Sequence, residues 1–160
     1  MPTATSTQIA SYETAPARLT MTLEGLSDAQ IRYTPGEQEW SIHNIIIHMA
    51  DAELVGSWRL RKTLAEAPVA LQDYDETAWA SQLVYPEQRR DHALALFTML
   101  RTTNAALLRL LPAQAWERAA RRETGKEMNV YELFLTLHNH VDEHIRQIER
   151  LKQYLPGLYA

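Results

Sequence analysis

Three of the six histidines of this 160-residue chain lie within the segment HNHVDEHIRQI, residues 138 to 148. In a helix, His140 and His144 are four positions apart, so their side chains stack on one face and can reach a common point. Two imidazoles do not complete a metal site, because stable sites normally offer at least three protein ligands. The spacing therefore predicts a metal site whose third ligand comes from another helix.

The second long helix contains the candidate for the third ligand. His48 lies on the border of its apolar face, whereas His43 points elsewhere. A site at the rim of a bundle needs ligands that face inward and still leave one flank open to solvent or substrate. We predict that His48, His140 and His144 form the triad and that His138, on the opposite edge of its helix, does not belong to it.

The same histidines are also consistent with ordinary structural side chains that bind no metal. A single HxxxH pattern often arises by chance on a helix that carries polar residues of every kind. His48 considered alone is typical of a partly buried histidine that is hydrogen-bonded to a neighbour, and His92 is typical of a surface side chain.

Three other polar residues are candidates for catalytic roles beside the triad. Asp51, three positions after His48, can orient an imidazole as a hydrogen-bond acceptor or be a solvated charge. Glu53 falls within the apolar stripe, which is costly for a carboxylate unless it has a partner such as an arginine. Gln147, three positions after His144, can contact the site or its substrate, or be an exposed glutamine.

The elements that must position these residues are helices. Helical periodicity dominates the chain, and no stretch shows the β-branched alternation expected of a strand. Thr14 can cap the first helix at Ala15 and Pro16, Ser41 the second and Asn129 the fourth, while Pro112 ends the third. We predict four long helices, which span about residues 14–26, 41–65, 87–111 and 129–155.

A crossover of roughly twenty residues, 66 to 86, joins the second and third predicted helices. A connection that long is usually functional or carries a short helix of its own. Trp40, Tyr74 and Trp79 can wall a substrate pocket there, or anchor loops to the helices. Four long helices with one long crossover predict an all-α four-helix bundle, which we expect to be one domain over residues 1–160.

Composition excludes several classes of partner and of chemistry. The net charge of −4 and the absence of a run of Lys or Arg argue against nucleic acid. No signal peptide and no apolar run of membrane-spanning length is found, so we expect a cytoplasmic protein without a membrane partner. The chain has no cysteine, which excludes disulfides, a cysteine nucleophile and a thiolate metal site. Any thiol used in catalysis must come from outside.

Two segments of the chain resemble the pattern of the DinB/YfiT-like superfamily. They are WSIHNIIIHMADAE, from residue 40, and HNHVDEHIRQI, which follows about ninety residues later. The matching positions are Trp40, Ser41, His48, Asp51, Glu53, His140, His144, Gln147 and Ile148. The crossover segment YDETAW is similar to the YfiT-like branch, and the resemblance extends from about Tyr12 to Gln153.

The resemblance implies a bundle of up-down-down-up topology in which the three histidines bind a divalent ion such as zinc or nickel. Three imidazoles by themselves also suit iron and copper. The resemblance further implies a homodimer and several activities: metal-dependent S-transfer using bacillithiol, maleylpyruvate isomerisation using mycothiol, and hydrolysis.

The leading hypothesis from the sequence is a metal-dependent S-transferase. A low-molecular-weight thiol would bind the ion as thiolate and attack a small electrophile, which suits a chain without cysteine. One alternative is a metal-dependent hydrolase that uses water on the ion, with Asp51 or Glu53 assisting proton transfer. Another is a non-catalytic metal-binding stress-response dimer.

Overall fold

The structure is a computed structural model that describes residues 2–36, 39–155 and 157. Its helices are α1 (Ser6–Met21), α2 (Asp28–Arg32), α3 (Ile42–Glu66), α4 (Glu76–Gln82), α5 (Arg90–Arg109) and α6 (Val130–Lys152). Its strands are β1 (Val69–Leu71), β2 (Ala119–Arg122) and β3 (Glu127–Asn129). Single 3-10 turns occupy Tyr85–Glu87 and Ala113–Glu117.

The four long helices α1, α3, α5 and α6 form a four-helix bundle. α3 packs against α5 and α6, and α1 packs against the same two helices from the other side. One core cluster contains the last turns of α1 and α6 together with the first turns of α3 and α5, and a second cluster contains the opposite ends. α1 and α6 therefore run in one direction and α3 and α5 in the other, so the predicted up-down-down-up topology is confirmed.

The predicted start of the first helix at Thr14 is wrong. α1 begins at Ser6, because Thr5 and Gln8 form a capping box in which each side chain binds the other residue's backbone N–H. Pro16 lies inside the helix. A proline is common in the first turn of a helix, and that preference suggested a start eight residues too late.

The other long helices agree with the predicted boundaries to within a few residues. The hydroxyl of Ser41 caps α3 by accepting from the backbone N–H of Asn44, at 3.1 Å. Asn129 caps α6 in a reciprocal pair with Glu132. Both caps fix the first residue of a helix that carries predicted site residues. Pro156, which was predicted to stop the fourth helix, lies outside the described residues.

A small sheet is present that the sequence analysis did not predict. β1 pairs with β2 in parallel, and β2 pairs with β3 in antiparallel orientation. Gly125 turns the chain between β2 and β3 with a φ of 83°, a conformation that glycine adopts without strain. The expectation of no strand failed because β2 reads AARR, which lacks β-branched residues and forms a strand only through its two neighbours.

The long crossover contains β1, α4 and the 3-10 turn that begins at Tyr85. This arrangement confirms the expectation that such a long connection carries structure of its own. Among the described residues, no helix is both long enough and apolar enough to cross a bilayer.

Candidate metal centre

The structure brings the three predicted histidines together. His48 lies in the second turn of α3 and is fully buried, whereas His140 and His144 occupy successive turns of α6 and are partly buried. α3 and α6 pack directly against each other, and the second turn of α3 contacts the middle of α6. One nitrogen of each ring lies within 4.8 Å of the corresponding nitrogens of the other two. His48 is thus deeper than the border position predicted for it.

The spacing of the imidazole nitrogens fits a common ion. Nε2 of His140 lies 2.9 Å from Nε2 of His144 and 3.4 Å from Nε2 of His48. Two nitrogens that each lie ~2.0–2.1 Å from one zinc ion are ~2.9 Å apart at a right angle and ~3.3 Å apart at a tetrahedral angle. The donor set is also suitable, because three imidazoles are a known ligand set of zinc sites.

The tautomer of His144 is set by Gln147. Nδ1 of His144 lies 2.8 Å from Oε1 of Gln147. An amide oxygen only accepts, so Nδ1 carries the proton and Nε2 keeps its lone pair. In His48, Nε2 faces His140, while the buried Nδ1 has no hydrogen-bond partner among the described residues. The Nε2 atoms of the cluster are therefore the ones available to a metal ion.

The three rings are neutral at pH 7. Burial, together with the neighbouring His144, lowers the pKa of His48 to about 4. Burial followed by the two neighbouring imidazoles lowers the pKa of His140 to about 3. Burial also lowers the pKa of His144, although its bond to Gln147 opposes the shift. Neutral imidazole is the form that binds metal ions.

Asp51 is hydrogen-bonded to a tyrosine rather than to an imidazole. Its Oδ2 accepts from the hydroxyl of Tyr85 at 2.7 Å. Burial raises the pKa of Asp51, and the bond to Tyr85 lowers it in part. Tyr85 also uses its backbone carbonyl, which accepts from Nε2 of the buried His43 at 3.0 Å. Asp51 and His43 therefore fix the 3-10 turn of the crossover to α3.

Glu53 has the arginine partner that its place in the apolar stripe required. Its Oε2 accepts from Nε of Arg101 at 2.9 Å, and both side chains are almost fully buried. The hydroxyl of Tyr12 and the amide of Asn104 donate to Oε1. Arg101 also donates through Nη2 to the backbone carbonyl of Leu137, at 2.6 Å. The carboxylate thus belongs to a network that ties α1, α3, α5 and α6 together just below the histidines.

Glu76 is a residue beside the triad that the sequence analysis did not select. Its Oε2 lies 3.9 Å from Nε2 of His48, and its side chain is half exposed. Glu76 begins α4, directly after the cap residue Asp75. The segment YDETAW pointed to this stretch of the crossover, but no spacing rule connects Glu76 with a histidine 28 positions earlier.

A partly open cavity of about 160 Å³ adjoins the histidines, between α3 and α6. We refer to it as the α3–α6 cavity. His140 and Glu76 line one part of it, and the small residues Ala52 and Gly56 lie along α3. Arg59 and Arg122 also line it. Space for a small molecule is therefore continuous with the candidate metal centre.

Two of the three candidate aromatic residues lie at the site, and the third packs behind one of them. The ring of Trp40 packs on the ring of His48 with 4.9 Å between centroids, and Tyr74 lines the α3–α6 cavity. Trp79 packs on Tyr74 at 4.7 Å. His138 lies outside the cluster, as predicted, and packs on the ring of Phe134. His92 is exposed, as predicted.

Comparison with known proteins agrees with this fold. The sequence model of the DinB superfamily matches residues 11–148. The chain belongs to this superfamily. All three histidines and their neighbours Asp51, Glu53 and Gln147 lie within the matched region.

Relatives in this superfamily carry names that refer to metal chemistry. YfiT of Bacillus subtilis, named as a candidate metal-dependent hydrolase, is 29% identical over 142 residues, which cover 88% of this chain and 80% of YfiT. A relative from Halalkalibacterium halodurans, named in the same way, is 26% identical over 137 residues, covering 86% of this chain and 80% of the relative.

Two solved structures share the bundle. The structure of Bacillus subtilis YfiT, described as having an unusual four-helix bundle topology, matches with a TM-score of 0.86 at 26% identity, over 92% of this chain and 85% of YfiT. A mycothiol-dependent maleylpyruvate isomerase matches with a TM-score of 0.70 at 12% identity, over 92% of this chain and 63% of the isomerase. At that identity the second likeness concerns the fold alone.

Proposed function

We propose that His48, His140 and His144 hold one divalent metal ion and that the protein is a metal-dependent enzyme acting on small molecules. The observation that carries the proposal is the convergence of the three Nε2 atoms, at distances that suit a shared ion. We propose zinc or nickel as the ion, as the family resemblance implies, and three neutral imidazoles suit both. When bound, such an ion lowers the pKa of a coordinated water or thiol toward neutrality.

Residues around the triad have distinct tasks in this proposal. Gln147 holds the proton on Nδ1 of His144 and thereby directs Nε2 toward the ion. Glu76 accepts a proton through Oε2, because that atom lies beside His48 and Glu76 lines the same cavity as His140. Asp51, which lies one turn after His48 on α3, is the second proton acceptor.

For Glu53 we propose a positioning role instead of a catalytic one. Its carboxylate is occupied by Arg101, Tyr12 and Asn104, which leaves it no direct part in proton transfer. Because Arg101 also holds the carbonyl of Leu137, one turn before His140, the ion pair fixes the distance between α3 and α6. That distance determines whether His48 reaches the two histidines of α6.

We propose hydrolysis as the first reaction class. The names of the relatives from Bacillus subtilis and Halalkalibacterium halodurans support it, and Glu76 and Asp51 can accept the proton that water must lose. The second candidate is transfer of a low-molecular-weight thiol such as bacillithiol to an electrophile. Two observations support this candidate. The chain has no cysteine, so a thiol nucleophile must come from outside, and a cavity adjoins the predicted metal centre.

Metal analysis of the purified protein tests the site. We expect close to one equivalent of zinc or nickel per chain, and a loss of more than ~100-fold in metal affinity for His48→Ala, since removing a ligand is more damaging than removing its support. His92→Ala is the matched control, because that histidine is exposed. Equal metal affinity in the two variants would refute the site.

Turnover assays separate the reaction classes. A panel of chromogenic esters without added thiol reports hydrolysis, and chlorodinitrobenzene with bacillithiol reports thiol transfer. Glu76→Gln should lower kcat by about 100-fold or more in the operating reaction while the metal content stays at the wild-type level. No turnover in either assay, together with a large loss of thermal stability on chelation, would instead favour a structural metal that ties α3 to α6.

A further inference from the structure

We propose that the α3–α6 cavity takes a small substrate that carries one carboxylate, which Arg59 and Arg122 bind at the end remote from the histidines. This inference rests on the proposed function, because the substrate's other end is the one that would react beside the triad. It names the chemical class of the substrate, which neither the fold nor the histidines define.

The cavity connects the histidines with the two arginines along one face of α3. His48, Ala52, Gly56 and Arg59 follow one another at three- and four-residue spacing, which places them on one side of the helix. Ala52 leaves room between the larger residues, whereas Leu137 of α6 fills the space beside Gly56. Eleven positions separate His48 from Arg59, so their Cα atoms lie about 16 Å apart along the helix axis.

The middle of the cavity is apolar. Leu137 of α6 packs so closely against Gly56 that a Cβ atom on Gly56 would overlap Cδ2 of Leu137. Leu133 and Met128 continue this lining toward the sheet. The substrate therefore has an apolar body between its two ends.

The far end of the cavity carries the positive charge. Arg122 donates through Nε to Oδ1 of Asp73 at 2.7 Å, and Arg59 donates through Nη2 to the same oxygen at 3.4 Å. One carboxylate against two guanidinium groups leaves about one positive charge unbalanced. Glu123, which accepts from the backbone N–H of Asp73, is exposed, so water screens its charge.

Both arginines have donors to spare for a ligand. None of the hydrogen bonds among the described residues uses Nη1 of Arg59 or Nη1 of Arg122. Burial, followed by repulsion from Arg122, lowers the pKa of Arg59, so an anion placed against the pair would relieve that repulsion. A guanidinium offers paired N–H groups that match the two oxygens of a carboxylate. A single excess charge suits a monoanion better than a doubly charged phosphate.

Calorimetric titration with hexanoate tests the proposal, with hexanamide as the uncharged control of the same shape. The protein is first treated with a chelator, so that a carboxylate cannot bind through a metal ion. We expect hexanoate to bind the wild-type protein, and hexanamide to bind at least about tenfold more weakly, because it lacks the charge-assisted hydrogen bonds.

Substitutions locate the binding. Arg122→Gln and Arg59→Gln should each weaken hexanoate binding about tenfold or more. Arg121→Gln is the matched control, since Arg121 directly precedes Arg122 in β2, is exposed and lines a different surface. If a glutamine variant does not fold, as judged by thermal unfolding, the corresponding lysine variant keeps the charge and should still prefer hexanoate over hexanamide.

Three results would overturn the carboxylate site: no hexanoate binding by wild type, equal binding of hexanoate and hexanamide, or unchanged binding by both Arg59→Gln and Arg122→Gln. His48→Ala separates this test from that of the proposed function. We expect that variant to lose the metal and to keep hexanoate binding, because His48 does not line the cavity. If the wild-type protein binds no metal and still binds hexanoate at the two arginines, the proposed metal centre is refuted and the carboxylate site is not.

Discussion

Arg101 and Glu53 form an ion pair in the interior of the bundle, with Nε of the arginine 2.9 Å from Oε2 of the glutamate. Their side chains are 1% and 2% exposed, so both charges are removed from water. Neither charge is tolerable there without the other. The pair joins α5 to α3, and a further hydrogen bond of Arg101, to the carbonyl of Leu137, extends the link to α6.

Arg101→Met should lower the free energy of unfolding by about 3–5 kcal/mol, because it leaves the Glu53 carboxylate buried without its counter-charge. Urea denaturation monitored by circular dichroism measures the change. Glu66→Gln is the control: it breaks the exposed pair of Lys62 and Glu66 and should cost less than about 0.5 kcal/mol. The double variant Arg101→Met/Glu53→Leu should lose less than the sum of the single losses, whereas strict additivity would contradict the pairing.

Gln147→Leu should weaken metal binding about 10–100-fold, because Nδ1 of His144 loses the acceptor that fixes its tautomer. Competition with a chromophoric chelator measures the affinity. Gln147→Glu keeps an acceptor oxygen and should restore most of it. Gln153→Leu, an exposed position just beyond α6, should have no effect. Equal affinities for Gln147→Leu and Gln153→Leu would argue against the positioning role.

Tyr85→Phe removes the hydroxyl that donates to Asp51, and its effect should depend on pH. The bond favours the charged carboxylate, so its contribution is present when Asp51 is ionised and is lost as the pH falls through the folded-state pKa. We expect the substitution to lower the free energy of unfolding by about 1 kcal/mol at pH 7 and by less at pH 4. Denaturation at both values measures it, with the exposed Tyr154→Phe as control. A loss independent of pH would exclude a bond to the ionised form.

Gly56→Ala should both destabilise the bundle and narrow the α3–α6 cavity. The new methyl group overlaps the buried side chain of Leu137 and crowds its Cγ and both Cδ atoms. Overpacking costs about 1–3 kcal/mol, which exceeds the gain of about 1 kcal/mol from replacing glycine in a helix. Thermal unfolding should show a lower Tm. The double variant Gly56→Ala/Leu137→Ala should lose less unfolding free energy than the sum of the two single losses. A Gly56→Ala variant that is more stable than the wild type would contradict the close contact between Gly56 and Leu137.

The sequence by itself determined the approximate boundaries of α3, α5 and α6. It also determined which face of its helix each site residue occupies. Caps at Ser41 and Asn129 are local signals, and the 3.6-residue period decides which side chains share a face. The period therefore placed His140 and His144 together, and it placed Glu53 among apolar residues where only a partner could stabilise it. The sequence thus shows that the two histidines need a third ligand and that Glu53 needs a counter-charge, but it does not identify either partner.

The tertiary structure decided the relations between elements. Arg101 and Asn104 lie among the buried residues of α5, because a network shared by four helices compensates their polarity. Glu76 reaches His48, and Arg122 reaches the α3–α6 cavity, only because the crossover and the small sheet fold back on α3. Periodicity describes rotation about one helix axis and contains no information on which helix packs against which, so such distances follow only from the packed chain.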